Sequence, residues 1–161
     1  MKKIIVLILL AITFTSCKSS SSTVSKKETK RENKSLVNHL IETATENIGV
    51  KYKAGGTTKN GFDCSGLVFT TFESENIKLP RSSFEQSQIG TVIPIKDAQK
   101  GDLIFFKTNK SRQINHVGLI TEINSNEIKF IHSSTSKGVI ISSTKEPYYQ
   151  NSFAQINRVV E

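Results

Sequence analysis

The sequence reads as an α+β chain, helical in its first half and antiparallel β in its second, on three observations. Leu36, Val37, Leu40, Ile41, Ala44 and Ile48 recur at helical spacing. A second helical pattern runs from Cys64 to about Ser74. Two apolar runs, His116 to Ile123 and Ile128 to His132, flank an Asn124-Ser125-Asn126 turn and read as a hairpin. With 161 residues, 36% hydrophobic and 22% charged, the chain has room for one globular domain.

The N-terminus comes first in chain order and reads as an export signal over residues 1–16. Lys2-Lys3 precede nine uninterrupted apolar residues, Ile4 to Ile12, and then the small side chains Thr15-Ser16. Nine residues are too few to span a bilayer, which takes about 20. Cys17 follows directly, and the arrangement resembles the lipobox of bacterial lipoproteins, with Phe14 where that pattern usually has Leu. The resemblance implies acylation of Cys17 and attachment to a membrane through the N-terminal lipid, with more than one acyl chain giving stable anchoring. The expected location is the cell envelope, as an exported lipoprotein of the outer membrane. Residues 18–34 hold one apolar side chain, Val24, and 17–34 are expected to form the lipidated Cys and a flexible polar tether. The folded domain is expected over 35–161.

The net charge of +8 comes mostly from the N-terminal segments. Residues 35–161 carry 14 basic and 12 acidic side chains and no basic stripe interleaved with aromatics, so nucleic acid is not an expected partner. The sequence has two cysteines. With Cys17 assigned to lipid, Cys64 has no partner in a compartment where disulfides form, and is either a small buried hydrophobe or a nucleophile.

Its surroundings favour the nucleophile. The first helix ends at Gly49, and Gly55-Gly56-Thr57-Thr58-Lys59-Asn60-Gly61 then makes a loop that delivers Cys64 to a helix start. Unpaired first-turn N–H groups and the helix dipole favour a thiolate there, so the thiol pKa is expected to be lowered. A thiolate enzyme needs a base, and the sequence has three histidines. His39 lies on the polar side of the first helix and is read as solvent-facing. A hairpin centred near residue 124 sets His116 opposite His132, and a slip of one residue would put them on opposite faces.

Gly55-Gly56, Gly61 to Val68 (GFDCSGLV), Leu79 to Ser83 (LPRSS), Gly101 to Phe106 (GDLIFF), His116 to Leu119 (HVGL) and Phe130 to His132 (FIH) together resemble the NlpC-type cysteine peptidases of bacterial cell walls. The resemblance covers essentially all of 35–161. It implies a compact papain-like α+β domain whose N-terminal helices pack on an antiparallel β-sheet. It also implies hydrolysis of an amide bond in peptidoglycan stem peptides, commonly the D-glutamyl to diaminopimelate bond. Cys64 matches the family's nucleophile, His116 its base and His132 the polar residue that orients the base.

Four further positions match substrate-binding residues: Tyr52, Asp63, Ser65 and Arg81. Three of them have a plainer alternative: a packing residue for Tyr52, a helix N-cap for Asp63, and a Ser82–Glu85 capping box beside Arg81. Two positions depart from the family pattern. Ala54 stands where many members have an aromatic residue, and Lys100 replaces the common Pro before Gly101. The sequence has neither a Cys pair nor a His-x-x-x-His spacing, so no metal and no cofactor is expected. A monomer is expected. The competing readings are a papain-like amidase or acyltransferase using the same residues, and a non-catalytic wall-binding lipoprotein.

Overall fold

The structure, a computed structural model, describes residues 21–161. The predicted export signal and Cys17 lie outside the described residues. The first helix, α1, spans Ser21–Thr45. It therefore starts at Ser21 and not at Ser35, and most of the stretch expected to be a tether is helical. The added part is rich in Lys, Glu and Arg, good helix formers that extend a helix once a downstream segment has nucleated it. Leu40 and Ala44 are fully buried. Residues 28–32 are exposed, which is why no apolar periodicity announced the longer helix. Gly49, at φ +88°, turns the chain and donates to the Val139 carbonyl at 2.9 Å.

A two-stranded ribbon, β1 (Thr57–Thr58) and β2 (Gly61–Phe62), leads into α2 (Cys64–Glu73). This is the second helix the sequence predicts, with its start at Cys64 and its C-cap at Ser74. A short α3 (Ser83–Gln86) follows, and then the sheet strands β3 (Thr91–Ile93), β4 (Leu103–Phe106), β5 (His116–Asn124), β6 (Glu127–Ser134) and β7 (Gly138–Ser143). The short α4 (Pro147–Ser152) precedes β8 (Phe153–Arg158). The six sheet strands lie in the order β3-β8-β4-β5-β6-β7, every pair antiparallel.

Side-chain alternation gives the sheet two apolar faces. Leu103, Phe105, Val117, Leu119 and Ile131 pack with Leu40, Leu67, Val68 and Phe72 of the two long helices. Ile104, Phe106, Ile120, Phe130 and Ile156 pack on the opposite side with Tyr149 from α4. All four residues of β4 are fully buried, as expected of a strand covered on both faces. Asp102 is held at its entrance by Arg158, with Nε to Oδ1 and Nη2 to Oδ2 both at 2.9 Å.

The hairpin is present, but its register differs from the expected one. Leu119 pairs with Ile131 and Asn124 with Glu127, with an irregularity between Ile120 and Glu122. One step beyond the Leu119–Ile131 pair, His132 faces Gly118 and not His116. The displacement is two residues, so both imidazoles stay on one face of the sheet. The cause is local: a tight two-residue connection and the bulge together move the symmetry point toward residue 125.

Candidate active site

Asp63 stands at the N-cap of α2 with extended backbone (φ −90°, ψ 175°), and its carboxylate accepts from Gly66 N–H at 2.6 Å. The same carboxylate accepts from Gly55 N–H at 2.8 Å, tying the glycine loop to the helix start. Arg81 grips it bidentately, Nη1 to Oδ1 at 2.9 Å and Nη2 to Oδ2 at 2.7 Å, and Nη1 also donates to Ser65 Oγ at 2.9 Å. Burial pushes the Asp63 carboxyl up, but the hydrogen bonds from Arg81, Gly66 and Gly55 outweigh it and hold the group below the ordinary carboxylate range. Gly66 permits this close packing. A Cβ there would lie 2.0 Å from the Gly56 carbonyl oxygen and 3.0 Å from Asp63 Oδ1. Three of the four predicted substrate contacts, Asp63, Ser65 and Arg81, thus form one network around the first turn of α2. The Ser82–Glu85 pair does cap α3, with Ser82 Oγ accepting from Glu85 N–H at 3.2 Å.

Cys64, one residue on from the cap, lies half-buried against the chain entering β5. Its Sγ is 3.9 Å from the Asn115 carbonyl oxygen, and Val117 N–H points at the sulfur from the other side of His116. The thiol pKa departs from expectation. Desolvation pushes it up, the neighbouring Asp63 carboxylate adds to that, and the N–H groups of Val117, Ser65 and Cys64 itself only partly offset them. The helix-start donors act in the expected direction, but burial is the larger effect.

The two histidines meet on the sheet. His116 Nε2 lies 2.9 Å from His132 Nδ1, with the ring planes at 79°. Gly118 makes room for them: a Cβ there would lie 2.6 Å from Phe130 Cδ2 and 3.3 Å from His132 Cβ. Burial pushes His116 down to about 4, and burial together with the His116 charge pushes His132 down to about 3. At neutral pH the resting site therefore holds a thiol and two neutral imidazoles. His39 stands apart on α1, 60% exposed and 3.9 Å from Glu75. Tyr52 bridges to Phe62 beside the ribbon, and its hydroxyl pKa is raised by burial and by the proximity of Cys64 and Asp63. Ala54 and Lys100 are both exposed. Among the described residues no group of three or more His, Cys, Asp or Glu side chains is placed to hold a metal ion.

Sequence reasoning missed one member of the site. Tyr149, on α4, places its hydroxyl 3.2 Å from His132 Nε2. No periodic pattern or spacing marks this position; the only local signal is Pro147, which opens a short helix.

A helix that begins with a half-buried cysteine, packed on an antiparallel sheet that carries paired imidazoles, defines a papain-like cysteine peptidase. The NlpC/P60 family model matches residues 49–158, and the chain belongs to that family. Along 99% of its length it is 34% identical to the "Probable endopeptidase NlpC homolog" of Haemophilus influenzae, covering all of that protein. It is 41% identical over 113 residues to the "Murein DD-endopeptidase MepS/Murein LD-carboxypeptidase" of Escherichia coli K12, a match over 70% of this chain and 57% of the relative. An NlpC/P60 family protein of Bacillus cereus has a crystal structure that superposes with a TM-score of 0.68 at 34% identity, over 78% of this chain and 40% of that one.

Proposed function

We propose that this protein hydrolyses an amide bond in peptidoglycan stem peptides, with Cys64 as nucleophile, His116 as base and His132 as the residue that orients the base. The observation that supports it most is the contact of the Cys64 sulfur with the backbone on both sides of His116, whose Nε2 is taken up by His132. That leaves Nδ1 of His116 to receive the thiol proton. As the C–S bond forms, the proton passes from Sγ to Nδ1, and the thiolate and imidazolium, each costly alone in a buried site, stabilise one another. First-turn N–H groups of α2 and the Tyr52 hydroxyl stabilise the oxyanion. The imidazolium then gives its proton to the departing amine as the C–N bond breaks. Water, deprotonated by the same nitrogen, hydrolyses the thioester and returns Cys64 to the thiol.

Asp63, Ser65 and Arg81 form the polar wall of the substrate site. Arg81 remains 38% exposed while bound to Asp63, so its guanidinium can meet a stem-peptide carboxylate only as part of that ion pair. The bond we favour is D-glutamyl to diaminopimelate or a related one. The E. coli relative's name also makes a D,D cross-link a target to examine. Cys17 is the lipid attachment point of an envelope lipoprotein in this reading.

The test is digestion of purified peptidoglycan with the wild type and with Cys64→Ala, followed by mass spectrometry of the soluble products. Stem-peptide fragments with new amino termini, absent with Cys64→Ala, are expected. Their masses identify the bond. Products that persist with Cys64→Ala, or binding without release, would overturn the proposal.

A further inference from the structure

Tyr149 lies outside every motif that identifies the site, yet it continues the line of hydrogen-bonding groups that runs from His116 to His132. Its ring sits 5.2 Å from Phe106, 5.0 Å from Phe130 and 5.2 Å from His132, edge-on to the last two. It is 7% exposed, and its hydroxyl reaches His132 Nε2 at 3.2 Å. Beyond it the Ser142 side chain, also buried, hydrogen-bonds the phenol. Burial pushes the phenol pKa up to about 12, so the oxygen keeps its proton throughout the working range.

We propose that Tyr149 is a positioning residue that fixes the tautomers of both catalytic imidazoles. This rests on the assignment of His116 as base. Cys64 is a thiol at rest, so His116 must present a lone pair at Nδ1 and carry its proton on Nε2. That proton needs an acceptor, and the group 2.9 Å away is His132 Nδ1. His132 must then carry its own proton on Nε2, at a fully buried position where water offers no alternative. The phenol oxygen accepts it. If His132 took the opposite tautomer, its Nδ1–H would point at His116 Nε2, force the proton onto His116 Nδ1, and leave no base facing the sulfur. An acceptor at position 149 disfavours that arrangement without touching substrate.

The experiment is 15N NMR of imidazole-labelled protein at pH 7, wild type and Tyr149→Phe, together with steady-state kinetics on a stem-peptide substrate. In the wild type both His116 and His132 are expected as Nε2–H tautomers. In Tyr149→Phe, which keeps the aromatic packing, His132 is expected to show a mixture of tautomers. The expected kcat is lower by roughly 10- to 100-fold with KM unchanged, because only alignment of the base is lost. An Nδ1–H tautomer at His132 in the wild type overturns the proposal, and that spectrum decides even if the variant fails to fold. Wild-type tautomers and kcat in Tyr149→Phe also overturn it. Cys64→Ala, assayed in parallel, separates the two levels: hydrolysis that survives it refutes the active-site assignment itself, and hydrolysis abolished by it leaves the tautomer result to speak for Tyr149 alone.

Discussion

Replacing Asp63 by Ala removes the carboxylate on which the start of α2, the glycine loop and Arg81 converge. The cost follows from its partners. Loss of the N-cap to Gly66 is worth about 1 kcal/mol. The Gly55 N–H loses a charged acceptor, about 1 kcal/mol more. The bidentate Arg81 pair is partly solvated, which limits it to about 1 kcal/mol despite its geometry. Together these predict a loss of ~3 kcal/mol, read as a lower urea midpoint with an unchanged slope. For a domain of this size the melting temperature should fall by roughly 6–12 °C. Asp63→Asn keeps a capping oxygen and loses the charge, so it should fall between wild type and Asp63→Ala. Hydrolysis should drop in both, because Cys64 is the residue after the cap. A change below about 0.5 kcal/mol in Asp63→Ala would refute the view that this carboxylate organises the site.

Three further outcomes are expected. Gly66→Ala should destabilise by at least ~2 kcal/mol and abolish hydrolysis, since the added methyl meets backbone; a well-folded, active Gly66→Ala measured by circular dichroism and product release would contradict the packing. His116 and His132 bind protons less readily folded, at about 4 and about 3, than unfolded, at 6.5. The unfolded state then takes up more protons as pH falls below 6.5, so stability present at neutral pH is lost on acidification, by ~2 kcal/mol per histidine at pH 5. Urea titrations at pH 7 and pH 5 measure this, and equal stabilities would count against neutral buried imidazoles. Cys17→Ser should abolish fatty-acid labelling and membrane partitioning in cells, and persistent labelling would remove the lipobox reading.

Much of the site could be read from the sequence because its parts are local. The Gly55–Gly61 loop and Asp63 place a helix start at Cys64 whatever the rest of the chain does, and α2 runs between the predicted ends. The histidine pair was legible as a hairpin, and the two-residue shift in register left both rings on one face. What escaped depends on contacts distant in sequence. The placing of β8 between β3 and β4 joins residues such as Asn157 and Leu103, which no periodicity links. Tyr149 reaches His132 only because α4 folds back over the sheet. The upstream half of α1 was hidden by its composition, since a segment whose one apolar residue is Val24 shows no apolar stripe. The direction of the thiol shift was missed because a helix start is visible in sequence and burial is not.

The most direct measurement is rapid acid quench of the enzyme during turnover of a stem-peptide substrate, followed by intact-protein and peptide mass spectrometry. Nucleophilic attack by Cys64 predicts an adduct with the mass of the acyl half of the substrate, mapped to Cys64, released by hydroxylamine and absent in Cys64→Ala. Turnover with no adduct on Cys64, and undiminished in Cys64→Ala, would contradict it.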